Sequence, residues 1–334
     1  MTNMPPTAPG ENERPRRNPQ FSKRAYPLLV LAALLLGALT AFLIWGRSLP
    51  APLARTASAP DGQAHAGDPA EANPELASLM EQINPSGGYA LPARYGDLGP
   101  RLVKAGVIDL NALAAIFEND GTPLSQEEMG VLTAGSEQGI TITSQNSRFL
   151  LNLFWAVGLA NQNPILTAGP IVENSGGQVE RFASTGGWTL ASRPITEIYA
   201  SLDLITLTEE QQRRVEEVAA AVYRPCCDNP THFPDCNHGM AMLGLLELMA
   251  SQGAGSDEMF TAAKYINAFW FPQQTLEMAV YLKAVQNIEF ADADARLVVG
   301  RNLSSGSGAK AVHQALQSAG LLQPDPGQGN SCSS

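Results

Sequence analysis

From Tyr26 to Trp45 the chain reads YPLLVLAALLLGALTAFLIW, twenty residues without a charge. At a rise of about 1.5 Å per residue, a helix of that length spans the roughly 30 Å hydrocarbon core of a bilayer. Tyr26 and Trp45 stand at its two ends, where amphipathic rings favour the membrane–water interface. The competing reading is a cleaved signal peptide, with cleavage after Ala51 or Ala54. Such a leader usually has an apolar core of only about 7–15 residues and a shorter charged flank. The sequence therefore points to an uncleaved anchor.

Charge sets its orientation. Arg14, Arg16, Arg17, Lys23 and Arg24 precede the run, against only Glu11 and Glu13. An excess of basic residues marks the cytoplasmic side, so the expected protein is a single-pass cell-membrane protein with an extracytoplasmic C-terminal domain. The whole chain carries a formal charge of −11, and basic residues are concentrated before the run. An acidic domain of this kind excludes nucleic acid as a partner class.

The domain organisation follows from composition along the chain. Residues 1–25 are polar, basic and proline-rich, and read as a disordered cytoplasmic tail. Residues 46–73, rich in Ala, Pro, Gly and Asp, read as a flexible linker. Residues 74–322 carry helical periodicity, and 323–334 read as a flexible C-terminal tail around a lone Cys332. The predicted fold class is mainly α: one transmembrane helix and an all-helical ectodomain with a long central loop.

Within that domain Ser125-x-x-Glu128 and Thr208-x-x-Gln211 are capping boxes that open helices. Ser144–Ala160 is apolar around much of its circumference and belongs inside a bundle. Residues 161–192, broken by Asn-Pro, Gly-Pro and Gly-Gly, form the predicted long loop, with short strands near Val179 and Trp188. Pro194–Leu204 is expected to restart helix, and Gly300–Gly308 to form a flexible turn.

Chemistry concentrates in one place. The stretch from Cys226 to His238 holds three of the four cysteines and two of the four histidines. It lies between the end of one predicted helix and the start of another, with Asp235 or Asn237 as the expected cap. A sulfur at a helix start faces unsatisfied amide N–H groups and the positive end of the helix dipole, so Cys236 is the predicted low-pKa thiol. Cys226 and Cys227 approach from the preceding helix, and His238 is two residues past Cys236. Three cysteines and one histidine form a known tetrahedral metal set, so Cys226, Cys227, Cys236 and His238 are the candidate ligands. Sulfur with imidazole suits zinc, copper or an iron–sulfur cluster. His232, between Thr231 and Phe233, reads first as a loop histidine. Met240 and Met242 offer thioethers but read first as core filler.

Two other readings stay open. Outside the cytoplasm, Cys226 or Cys227 can pair with Cys236 as a structural disulfide, leaving a non-enzymatic interaction protein. Alternatively Cys236 exchanges with the tail Cys332 in a thiol–disulfide or metal–thiol redox enzyme, which would need a redox partner protein. The oligomeric state leaves no signature in the sequence.

Pro225-Cys226-Cys227, then His232, Cys236 and His238, then the helix beyond, resemble in order the extracytoplasmic family defined by a Pro-Cys-Tyr-Cys-Gly-Cys motif. The hexapeptide itself is absent, and the likeness covers about residues 224–270. It implies a metal-binding role without specifying a reaction.

Overall fold

The computed structural model describes residues 74–322. The expected membrane span at 26–45, its flanks at 1–25 and 46–73, and the tail at 323–334 with Cys332 lie outside the described residues. Among the described residues no helix is long and apolar enough to cross a membrane.

The described chain is mainly helical, as the periodicity predicts, but it is not all-helical. After α1 (Pro74–Ile83) comes a strand, β1 (Tyr89–Gly96). Three helices follow: α2 (Leu98–Lys104), α3 (Leu110–Asn119) and α4 (Gln126–Thr133). A second strand, β2 (Ser136–Ile142), then pairs antiparallel with β1. The register runs from Tyr89 opposite Ile142 to Gly96 opposite Ser136. It is interrupted between Ala90 and Arg94, where Pro92 supplies no ladder donor. Leu91, Ala93 and Tyr95 alternate into the core, the period of two that a half-buried strand requires.

The centre of the domain is α5 (Ser147–Ala160). The predicted long loop after it is largely structured, in short pieces. These are α6 (Pro164–Thr167), α7 (Pro170–Ser175), a 3₁₀ turn at Val179–Arg181 and α8 (Ala183–Gly186). Proline opens both α6 and α7, where its missing N–H costs nothing. The expected strand at Val179 is thus a 3₁₀ turn, and Trp188 is instead a buried anchor whose indole donates to Val107 O at 2.9 Å. The expected helix Pro194–Leu204 shrinks to the single turn α9 (Ile195–Ile198). Beyond it Asn161 captures the backbone, accepting from Leu204 N and Ile205 N.

Then come α10 (Glu209–Ala221), α11 (Asn237–Ser251), α12 (Ser256–Trp270) and α13 (Pro272–Tyr281), the last running into a π-helical turn at Leu282–Gln286. Both predicted capping boxes form, at α4 and α10. The chain ends in α14 (Ala295–Val298), α15 (Arg301–Ser304) and α16 (Gly306–Ser318). The predicted flexible turn at 300–308 is thus helical on both sides of Ser305. The Ser305 hydroxyl caps α16 by accepting from Gly308 N.

Helix α11 is buried from Gly239 to Ala250 and packs along α5. The two backbones touch where Gly158 meets Gly244. A Cβ on Gly244 would lie 2.4 Å from Phe154 O and 2.6 Å from Gly158 N. A smaller apolar cluster joins α1, α13 and α16 through Ile83, Met278, Leu282, Phe290 and Leu316.

A carboxyl group is buried in the main core. Glu247, on α11, is fully buried. Its Oε2 accepts from Asn161 Nδ2 at 3.1 Å, and its Oε1 has no partner. Burial raises its pKa well above the ordinary carboxyl value, against the opposing hydrogen bond of Asn161. The folded state therefore holds a proton that the unfolded chain releases above about pH 4.3. Stability from this group is complete below that pH and falls as pH rises toward the folded-state value, with a slope of up to about 1.4 kcal/mol per pH unit. Glu247→Gln is expected to remove that slope and to be more stable than wild type at pH 7. Urea midpoints of both proteins between pH 4 and 7 test this; parallel pH profiles would refute it.

Candidate functional site: a three-cysteine cluster

The loop between α10 and α11 is tied down along its length. Tyr223 N donates to Val299 O, and Asn267 Nδ2 donates to Tyr223 O, both at 2.8 Å. The loop then folds back on the end of α10. Thr231 N donates to Val222 O and His232 N to Ala219 O, which satisfies carbonyls the helix leaves open. On the other side, Gly306 N donates to Cys227 O at 2.9 Å and Ser307 N to Asp228 Oδ1 at 2.7 Å.

These restraints bring Cys226, Cys227 and Cys236 together, with their sulfurs all within 4.8 Å of one another. Cys226 Sγ lies 3.4 Å and Cys227 Sγ 3.8 Å from Cys236 Sγ. A disulfide requires about 2.05 Å, so these are contacts rather than bonds. Sulfurs bound tetrahedrally at about 2.3 Å from one zinc-sized ion stand about 3.8 Å apart. The cluster therefore has the spacing to hold a metal ion.

Cys236 is the N-cap of α11, with extended backbone angles. Asp235 and Asn237, the expected caps, do not fill that role. The Cys236 sulfur accepts from Gly239 N at 3.4 Å, as an N-cap oxygen would. Hydrogen bonds from Cys226 and Cys227, with the charge and hydrogen bond of Arg224, hold the Cys236 thiol well below its ordinary pKa despite burial. Cys226 is driven up by its hydrogen bonds to the other two thiols and by burial. A hydrogen bond from Cys226 pulls Cys227 down, but its donation to Cys236 and its burial outweigh this, raising it to about 11. Negative charge is thus favoured on Cys236 over its two neighbours, and the Cys227 thiol also reaches Asp235 Oδ1 at 3.7 Å and Asn229 O at 3.8 Å.

Arg224 is the residue the sequence reading missed. Its side chain is fully buried. Nε donates to Cys236 Sγ at 3.1 Å, Nη1 to Asn229 O at 3.1 Å and Nη2 to Asp235 Oδ1 at 3.4 Å. Burial alone would weaken its charge, but the cysteines, Cys236 foremost, outweigh burial and keep the guanidinium protonated. The guanidinium lies flat against Gly239, where a Cβ would sit 2.3 Å from Nη2 and 2.5 Å from Cζ. Asp235 is held in turn, its Oδ2 accepting from Asn229 Nδ2 at 2.7 Å. The signal available in the sequence was the basic residue two positions before the first cysteine, with a glycine opening the next helix.

The structure does not bring His238 into the sulfur group. Its Nδ1 contacts Asn237 Oδ1 at 3.1 Å, and its ring packs on Phe271 and Trp270, with centroids 4.5 and 5.7 Å away. Burial lowers its pKa to about 4, so it is neutral. His232 stays in the loop, and Met240 and Met242 are fully buried in the core. Cys332 lies outside the described residues. Compared with family models, with curated proteins and with solved structures, the chain finds no match in any of the three.

Proposed function

We propose that this is a membrane-anchored extracytoplasmic protein that binds a soft transition-metal ion through Cys226, Cys227 and Cys236. The observation that carries this reading is the convergence of three sulfurs from two sides of one loop at metal-ligand spacing. The order of cysteines and histidines that resembles the extracytoplasmic metal-binding family supports the same reading. Sulfur donors favour zinc or copper(I) over hard ions. Titration of the reduced full-length protein with zinc, cadmium and copper(I) is expected to show one equivalent bound. Cys236→Ser is expected to weaken binding on the order of a hundredfold or more, since even outer-sphere changes cost about 10–100-fold. Wild-type protein that binds none of the three ions would overturn this.

A second reading rests on a different observation: Cys236 Sγ, which accepts from Arg224 Nε and Gly239 N, lies 3.4 Å from Cys226 Sγ. That is the arrangement of an attacking and a resolving thiol in disulfide exchange. On this reading Cys226→Ser accumulates a mixed disulfide at Cys236, visible by mass spectrometry. A Cys236 that remains free in that variant excludes it.

A further inference from the structure

The candidate donors around the cluster divide into three that converge and several committed elsewhere. His238 is held by Asn237 and two aromatic rings. Both oxygens of Asp235 are engaged, Oδ1 by Arg224 and by the Cys227 thiol at 3.7 Å and Oδ2 by Asn229, and Asp235 does not join the group of converging donors. Asp228 is tied to Ser307 N at the start of α16. The thioethers of Met240 and Met242 are sealed in the core. Among the described residues the donor set therefore stops at three sulfurs. Structural zinc sites are closed by four protein ligands, whereas three protein ligands leave a position for an outside one.

Charge points the same way. Three thiolates around a divalent ion carry −1. The buried Arg224 guanidinium beside them carries +1 but also pairs with Asp235, so no positive charge is left over for a fourth anionic ligand, and a neutral water suits that position. Both Cys226 and Cys227 are partly exposed, so an outside ligand has a way in.

Building on the metal-binding reading, we propose that the cluster is an exchange site: it holds a divalent soft ion by three sulfurs and takes an incoming thiolate at the fourth position. The exchange breaks one metal–oxygen bond, releases water and forms one metal–sulfur bond, with no change in oxidation state. The thiol's proton goes to solvent. The added thiolate deepens the uncompensated negative charge of the site, which favours departure of the ion with its new ligand. The site thus hands its ion on to a thiol acceptor instead of keeping it as a structural staple.

Cobalt(II), whose visible absorption reports ligand number and type, is the probe. The reduced full-length protein and its Cys332→Ser and His238→Gln variants are each titrated with cobalt(II), then with 2-mercaptoethanol. The expected result is one tetrahedral site with the same spectrum in all three proteins. Added thiol shifts that spectrum toward four sulfurs and speeds transfer of the ion to EDTA in proportion to thiol concentration. A spectrum that loses a sulfur in Cys332→Ser, or a nitrogen in His238→Gln, shows a closed four-ligand site and overturns the exchange proposal alone. A spectrum that ignores added thiol also overturns it. If neither cobalt(II) nor cadmium binds, the exchange proposal fails, and if zinc and copper(I) fail as well, the metal-binding reading itself fails.

Discussion

Gly244→Ala is expected to destabilise the domain by about 3 kcal/mol, although alanine is the better helix former by about 1 kcal/mol. The propensity gain is the smaller effect. A Cβ at Gly244 would meet Phe154 O at 2.4 Å and the Gly158 backbone at 2.6 and 3.0 Å. These are backbone atoms of α5, so no rotamer change relieves the overlap. The two helices must separate, and both are buried along most of their length. Against a typical net stability of about 5–15 kcal/mol, that loss is large. Gly130→Ala, in α4, is the matched control, because a Cβ there meets nothing within 4 Å. It is expected to stabilise by up to about 1 kcal/mol through propensity alone. Urea unfolding of the two variants separates the effects. A Gly244→Ala midpoint close to that of Gly130→Ala would show that the helix contact is not the constraint described.

Arg224→Met is expected to cost about 3–5 kcal/mol in the reduced, metal-free protein. The long apolar side chain fills much of the same volume, so the loss reports charge and hydrogen bonding more than a cavity. Without the guanidinium, the Cys236 thiolate loses its buried counter-ion, Asn229 O loses a donor, and Asp235 loses its ion pair. Gly239→Ala should also be severe on its own, since its Cβ strikes the guanidinium. The two changes act on one contact, so their effects should not add; a coupling of about 0.5–3 kcal/mol is expected in a double-mutant cycle. Additive losses, or an Arg224→Met cost below about 1 kcal/mol, would refute the account of Arg224 as the buried counter-ion of the cluster.

Local chemistry was the most legible part of the fold. The capping boxes at Ser125 and Thr208 need only four consecutive residues, and both form. The buried character of 147–160 was visible because an all-round apolar helix has few other places to go. The β-hairpin was harder to see. Leu91, Ala93 and Tyr95 alternate as a strand should, but Pro92 interrupts the run and the partner strand lies some forty residues on. Asn161 was equally hidden. It shortens the helix expected at 194–204 by capturing Leu204 N and Ile205 N across more than forty residues. No local pattern encodes a side chain that competes for backbone donors at that distance.

The candidate site divides along the same line. The sequence by itself determined that three cysteines would meet near a helix start, because Cys226, Cys227 and Cys236 lie within eleven residues on a proline-stiffened loop. It also determined that Cys236 would be the acidic thiol, since a sulfur at a helix N-terminus faces unpaired N–H groups. Only the tertiary structure decided the membership and charge of the cluster. His238 is two residues from Cys236, yet its Nδ1 contacts Asn237 Oδ1, its ring packs on Trp270 and Phe271, and it does not join the converging group. Arg224 enters because α11 presents Gly239, a residue without a side chain, for the guanidinium to lie on. Which side chains converge depends on how two helices and a loop pack, and spacing along the chain does not contain that information.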